Sequence, residues 1–188
     1  MKKYFEKVLM VMLAAFLSVS FTACSDDDDD EPGKGGSMSG WVEIDGKKYD
    51  FKYFYGGKND DGGEVSFTGF NKNPYSLKES DNYNMTAFTM AFKSDGTLDS
   101  EYGNPTINFE FELNCNESKE NADMVMYCNH STSYAGITAT RSGDKLTIDG
   151  KNVEVRYSAK GAGGVNQNDP KTTVNFHFAG TPEWLDFD

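Results

Sequence analysis

The two histidines are the first residues to consider for chemistry, because histidine is the most common general base in enzymes. His130 lies in "CNHSTS", beside Ser131 and Ser133, in a predicted loop. His177 lies in "VNFHFAG", where the alternation of apolar and polar residues predicts a side chain that faces away from the core. A serine nucleophile needs both a base and an orienting group within hydrogen-bond distance. The sequence supplies no such set, so we do not expect an enzyme.

Acidic side chains suggest two further kinds of chemistry, glycoside hydrolysis and metal binding. Hydrolysis needs one defined pair of carboxylates, and with 30 acidic residues any pair chosen from sequence is arbitrary. A hydrolase with an unrecognised carboxylate pair stays as an alternative. The segment "KNDDGGE" could place oxygens of Asp60, Asp61 and Glu64 around Ca²⁺. It lacks the EF-hand spacing and is typical of a polar hairpin loop, so we predict no metal or other cofactor.

Cys24 stands at the end of a leader. Three lysines lie within the first seven residues, and the apolar run "VLMVMLAAFL" follows, an order typical of a secretory signal peptide. The motif "FTAC" then resembles the lipobox at which signal peptidase II cuts once the cysteine is diacylated. This resemblance implies that residues 1–23 are a signal peptide and that acylated Cys24, carrying palmitate, anchors the chain in the outer membrane. An ordinary secreted protein cleaved near Ala23 is the alternative.

The acidic residues after Cys24 form an unbroken run, which comprises Asp26, Asp27, Asp28, Asp29, Asp30 and Glu31. The run resembles the acidic export signal of surface lipoproteins of the Bacteroidota, which implies exposure at the cell surface and identifies no activity. Like charges this close repel and stay extended, and "PGKGGSMSG" is a flexible spacer. We therefore assign residues 24–39 to an acidic, Gly/Ser-rich tether, and a plain tether without an export role is the alternative.

Residues 40–188 are enough for one domain with a sizeable core. The formal net charge of −12 disfavours binding to nucleic acid, because phosphates would be repelled. This domain contains Cys115 and Cys128, and a secreted chain permits disulfides. Alternation predicts that both point into one core, Cys115 with Phe111 and Cys128 with Met126. A bridge and two buried free thiols remain equally open, since bonding depends on geometry.

The domain is predicted to be all-β, with about ten short strands. The clearest strand is "TINFEFELNC", and "KKYDFKYFY" at 47–55 is another. Hairpin turns are predicted at Asp45-Gly46, Ser142-Gly143-Asp144 and Asp149-Gly150. No segment has a convincing helical period with caps.

The irregular spacing of the strands favours an antiparallel β-sandwich with Greek-key crossovers. A calycin-like closed β-barrel is the alternative. The segment from "ITATRSGDKLTI" to "VNFHFAG" also resembles the C-terminal end of small uncharacterised lipoproteins from the same bacterial group. That resemblance implies no functional residue.

Aromatic residues are the remaining candidates for function. In "KYDFKYFYGG", strict alternation puts the row from Tyr49 to Tyr55 on one face and Phe54 on the other. If that row is core, Phe54 is exposed, and Tyr75 and Tyr83 lie in predicted loops. Exposed rigid rings stack against sugars or anchor partner proteins. We therefore predict a ligand-binding role for Phe54, Tyr75 and Tyr83.

The prediction from sequence is a surface-exposed, lipid-anchored, non-catalytic module. Its partner is a glycan or a protein at the outer membrane. A calycin-like carrier of a small apolar ligand is the first alternative, and it requires a large cavity. The hydrolase with a carboxylate pair is the second.

Overall fold

A computed structural model describes residues 36–58, 63–101, 104–105, 107–116, 124–128, 135–158 and 165–185. For residues 100, 101, 104, 105 and 124–128 it describes the backbone alone. Cys24, the acidic export run, Asp60, Asp61 and His130 lie outside the described residues.

The all-β prediction is confirmed, because the described residues form strands and a single 3₁₀ turn, Pro74–Ser76. The strands in chain order are β1 (Ser39–Ile44), β2 (Lys47–Phe51), β3 (Tyr53–Lys58), β4 (Glu64–Phe70), β5 (Tyr83–Ala91), β6 (Ser100–Glu101), β7 (Asn104–Pro105), β8 (Ile107–Cys115), β9 (Met124–Cys128), β10 (Ile137–Ser142), β11 (Lys145–Ser158), β12 (Lys171–Gly180) and β13 (Glu183–Trp184).

The strands form an antiparallel β-sandwich, as predicted. One hydrogen-bonded path runs in the order β13-β3-β4-β5-β8-β9-β11-β12-β1-β2, with β10 added beside β11, and it folds into two five-stranded sheets. The front sheet consists of β3, β4, β5, β8 and β9, with β13 paired in parallel at its edge. The back sheet consists of β10, β11, β12, β1 and β2.

The connections differ from the Greek-key crossovers that we expected. Most strands pair with the next strand along the chain, and β12 pairs with β1 to join the two ends of the domain. The chain passes from the back sheet to the front sheet at Lys52, which alone separates β2 from β3 and donates its N–H to the Phe70 carbonyl at 3.0 Å. The predicted continuous strand at 47–55 is therefore broken, because a bend lets one segment serve both sheets.

Aromatic rings from both sheets fill the core. Phe88 of the front sheet lies 5.1 Å from Phe178 and 5.6 Å from Phe176 of the back sheet, measured between ring centroids. Phe109 stacks on Phe176 at 4.8 Å. Phe88, Phe109, Phe176 and Phe178 are each at most 1 % exposed. Burial of these rings stabilises the contact between the two sheets through the hydrophobic effect, because each ring removes a large apolar area from water.

Two of the three predicted hairpin turns are confirmed. Asp45-Gly46 joins β1 to β2 with positive φ at both residues, and Gly143 turns the chain between β10 and β11 at φ 60°. The turn predicted at Asp149-Gly150 is wrong, because β11 continues through it with a bulge. Gly150 lies under the Phe176 ring, where a Cβ would come within 2.3 Å of Cζ. Gly150 is therefore needed because it leaves room for the Phe176 ring, and it does not form a turn.

The bridge that we considered between Cys115 and Cys128 is contradicted by the strand register. Cys128 pairs with Phe109 on β8, six residues before Cys115 on the same strand. Six residues of strand span about 20 Å, whereas a disulfide needs Cα atoms within about 7 Å of each other. Cys115 is a free, buried thiol.

A bulge explains why alternation misplaced Cys115. The register between β5 and β8 shifts at Asn114, which has φ 57°. The extra residue moves Cys115 away from the central core and into a separate group with Tyr83, Met85 and Val165.

Candidate binding site on the front sheet

The bend at Lys52 determines which side chains of β3 lie on the outer face of the front sheet. After this residue the alternation changes phase, so Phe51 and Phe54 both face the core and Tyr55 faces outward. Phe54 is fully buried against Phe67 and Phe178, at 6.0 and 5.8 Å between centroids. The prediction of an exposed, ligand-binding Phe54 is therefore wrong.

The loop between β4 and β5 covers this outer face. Asn71 and Asn84 hold the loop at its base, since Asn84 donates its N–H to Asn71 Oδ1 at 2.8 Å. At the tip, Asn73 Oδ1 accepts the N–H of Tyr75 at 3.0 Å, and Pro74 begins the 3₁₀ turn. This geometry sets the ring of Tyr75 edge-on to Tyr55, with centroids 5.3 Å apart.

Four rings form a continuous group on this face, and Tyr53 lies two residues before Tyr55 on the same strand. We call these five residues the outer aromatic cluster; its members are Tyr53, Tyr55, Phe70, Tyr75 and Tyr83. Phe70 connects the group, at 6.4 Å from Tyr55 and 6.0 Å from Tyr83. Among the described residues, Tyr75 is the large hydrophobic side chain with high exposure, at 39 %. Tyr53 and Tyr83 are half-buried, so the cluster presents a partly open aromatic surface.

Tyr55 contributes a buried hydroxyl to the cluster. The residue is 1 % exposed, and within the described ranges its Oη has no hydrogen-bond partner. Burial raises the pKa of this phenol well above its usual value, and the negative charge of Glu183 raises it further. The hydroxyl therefore stays protonated and keeps its capacity to donate a hydrogen bond.

Glu183 places a negative charge beside these rings. It is directly opposite Tyr55 in the parallel pairing of β13 with β3, so both side chains point to the same face. Burial raises the pKa of Tyr75, and the charge of Glu183 is the second cause. One carboxylate therefore acts on both tyrosine hydroxyls.

A pair of carboxyl groups lies farther along the same face. Glu110 and Glu112 alternate with the inward rings of β8 and are hydrogen-bonded to each other. Burial raises the pKa of Glu110 to about 8, and the charge of Glu112 and the shared hydrogen bond add to this effect. Cys115 Sγ donates to Glu112 Oε2 at 3.2 Å. Burial, followed by the charge of Glu112, raises the pKa of the thiol, which keeps it protonated and poorly nucleophilic.

This pair does not have the geometry of a glycosidase. Catalytic carboxyl groups in those enzymes stand about 5 Å or more apart, which leaves room for the sugar or for water. The hydrogen bond between Glu110 and Glu112 holds the two groups closer than that. Burial and the neighbouring charge of Glu112 favour the protonated form of Glu110, as in other like-charged pairs.

The outer face of the back sheet carries a different group, centred on Trp41. His177 lies beside it with ring centroids 6.4 Å apart, and the Lys48 ammonium is 4.1 Å from the Trp41 ring. His177 faces outward, as predicted, and its Nδ1 is 2.7 Å from Asp149 Oδ1. Lys48 already occupies a face of the indole, so this group is less open to a stacking ligand than Tyr75.

Metal binding and membrane spanning receive no support from the described residues. In that part of the chain, no three His, Cys, Asp or Glu side chains come together as a group that could hold a metal ion. Of the calcium ligands considered above, only Glu64 is described, and it begins β4. No helix within the described ranges is long and apolar enough to cross a membrane.

Sequence reasoning identified part of this site. Tyr75 and Tyr83 were selected because they lie in or beside a loop, and the structure brings both into the outer aromatic cluster. Tyr55 was assigned to the core row, because the change of phase at Lys52 leaves no mark in the sequence. Glu183 was missed, since it lies far along the chain and its position depends on the pairing of β13 with β3.

The fold and the site define an all-β sandwich with an aromatic, acid-flanked surface on one sheet. Comparison with family models, with curated proteins and with solved structures finds no match to this chain. Arguments about function therefore rest on the residues themselves.

Proposed function

We propose that the chain is a lipid-anchored, non-catalytic surface module that binds glycans through the outer aromatic cluster. The observation that carries this proposal is the part-exposed ring of Tyr75, held by its loop edge-on to Tyr55, whose buried hydroxyl has no hydrogen-bond partner among the described residues. An aromatic face stacks on the apolar side of a sugar ring, and a buried hydroxyl supplies a directed hydrogen bond to a sugar oxygen.

The anchor follows from the sequence of the leader. Acylation of Cys24 attaches the module to the outer membrane, and the run Asp26–Glu31 directs it to the cell surface. The tether joins the domain beside β13, because the N–H groups of Ser37 and Met38 both donate to the Thr181 carbonyl. The attachment point at Thr181 therefore lies two residues before Glu183, just ahead of β13 in the chain.

The packing favours a surface binder over the two alternatives. A carrier of small apolar ligands needs an empty interior, whereas rings of both sheets meet at 4.8 to 5.6 Å in the centre of this core. A glycosidase needs separated carboxylates, whereas those of Glu110 and Glu112 are hydrogen-bonded to each other. A protein partner remains a distinct outcome of the experiment below.

The proposal predicts that intact cells producing the chain retain neutral oligosaccharides at their surface. Fluorescent oligosaccharides of glucose, mannose and galactose would be incubated with cells that produce the wild-type chain, Tyr75→Ala or Trp41→Ala. Tyr75→Ala is expected to lower retention at least about tenfold, since base or sugar stacking on one aromatic contributes about 1–3 kcal/mol. Trp41→Ala is the matched control on the back sheet and is expected to retain the wild-type level.

Surface display is measured in the same cells by protease shaving. Tyr75→Ala should be shaved as efficiently as wild type, and Cys24→Ala should be released from the membrane fraction. Equal retention by Tyr75→Ala and wild type would contradict the site, and chain that is protected from protease would contradict surface exposure. Absence of retention for every sugar, with crosslinks to one protein instead, would replace the glycan by a protein partner.

A further inference from the structure

We infer that the outer aromatic cluster selects uncharged glycans and rejects acidic ones, with Glu183 as the residue that discriminates and the Tyr55 hydroxyl as the inner hydrogen-bond donor. This inference rests on the proposed function and names the substrate class of the same site.

The Tyr55 hydroxyl is the first observation. It is buried and has no hydrogen-bond partner in the part of the chain that the structure describes, and an unsatisfied buried donor destabilises the fold. A sugar oxygen that accepts from it removes this cost in the complex. The ring of Tyr75 packs edge-on against that of Tyr55, at 5.3 Å between centroids, and Tyr75 belongs to a 3₁₀ turn rather than to a strand. The proposal requires that a sugar reach the hydroxyl by displacing this ring, which belongs to no strand.

The charge of Glu183 is the second observation. Glu183 lies directly opposite Tyr55 in the pairing of β13 with β3, and its charge acts on the hydroxyls of both Tyr55 and Tyr75, so a ligand group that reaches either hydroxyl also meets this charge. The whole chain has a formal net charge of −12, which adds a repulsive background. A carboxylate or sulfate on the sugar is disfavoured by like-charge repulsion, whereas a neutral hydroxyl can donate to Glu183 and accept from Tyr55.

The test uses the full chain as the cell produces it, purified in detergent. Oligosaccharides of glucose, mannose and galactose are each paired with the same oligosaccharide oxidised to a carboxylate at C6. The wild-type chain is expected to bind at least one neutral sugar, and its oxidised form at least about tenfold more weakly. Glu183→Gln is expected to bind both forms within about threefold of each other, because the amide removes the charge that repels the carboxylate.

Tyr55→Phe separates a binding role from a structural one. Loss of the donor is expected to weaken binding of the neutral sugar about fivefold. The midpoint of urea unfolding should rise or stay the same, because the variant removes an unpartnered buried hydroxyl. A merely structural tyrosine would lose stability together with affinity.

The outcomes distinguish selection against charged sugars from glycan binding itself. Equal binding of neutral and oxidised sugars by wild type, or discrimination that survives Glu183→Gln, would overturn charge selection and leave glycan binding standing. Wild-type affinity in Tyr55→Phe would overturn the role of the hydroxyl. Failure to bind any neutral sugar would overturn the proposed function itself.

Discussion

Phe88→Ala is expected to lower the free energy of unfolding by about 3–5 kcal/mol, the cost of removing a fully buried phenylalanine. The ring of Phe88 lies within 5.0 to 5.6 Å of four others, which are Phe67, Phe109, Phe176 and Phe178. It therefore joins neighbours in its own sheet to rings of the opposite sheet. Because whole domains are stable by about 5–15 kcal/mol, this variant should unfold at much lower urea concentration, as followed by circular dichroism.

Phe88→Leu is the matched control. It keeps most of the apolar volume, so its cost should be less than half that of the alanine variant. A cost below about 1 kcal/mol for Phe88→Ala would mean that the two sheets do not meet at this ring, and it would contradict the packing described above.

The folded chain is expected to lose about 3 kcal/mol of stability between pH 5 and pH 8 through Glu110. The pKa of Glu110 is raised from 4.5 to about 8, by burial first and by Glu112 second. Over this interval the folded chain holds a proton on Glu110 that the unfolded chain has released. Raising the pH therefore favours unfolding, by at most about 1.4 kcal/mol for each pH unit and by less near pH 5 and pH 8, where one of the two states is only partly protonated. Urea unfolding at pH 5, 6, 7 and 8 measures the slope.

Glu110→Gln should flatten this dependence and should be more stable than wild type at pH 8. The amide carries no charge to desolvate, and it still donates a hydrogen bond to Glu112. Glu154→Gln, at a part-exposed position paired with Lys171, is the control and should keep the wild-type slope. Wild-type stability that stays level or rises from pH 5 to pH 8 would contradict the buried pair.

Much of the fold follows from local pattern. Alternation in "TINFEFELNC" predicted that Ile107, Phe109 and Phe111 face the core, and each is at most 1 % exposed. The Asp45-Gly46 turn was predicted from its tendency to adopt positive φ. These features depend on residues close in sequence, so a period of two and a turn dipeptide are sufficient to predict them.

The errors arose where one residue changes the phase of the pattern. The bend at Lys52 turned Phe54 inward and Tyr55 outward, and the bulge at Asn114 moved Cys115 out of the central core. Both the bend and the bulge depend on hydrogen bonds to strands that are distant in the sequence. A slip of one residue exchanges the two faces of a strand, so local alternation could not reveal either change.

The site was harder to predict than the fold for the same reason. Tyr75 is exposed because it lies in a loop, and that loop can be predicted from the polar and turn residues around it. The position of Tyr55 depends on the bend, and that of Glu183 depends on a parallel pairing across more than a hundred residues. A site assembled from an edge strand, a loop and a bend can therefore be recognised only once these elements are in place.

Hydrogen–deuterium exchange of the full chain, with and without a neutral oligosaccharide, is the direct test of glycan binding at the outer aromatic cluster. The sugar is expected to slow exchange in segments 53–58, 70–83 and 183–185, while exchange in the back-sheet segments 39–51 and 145–150 stays unchanged. Protection confined to the back sheet around Trp41, or no protection anywhere at saturating sugar, would contradict glycan binding at the outer aromatic cluster.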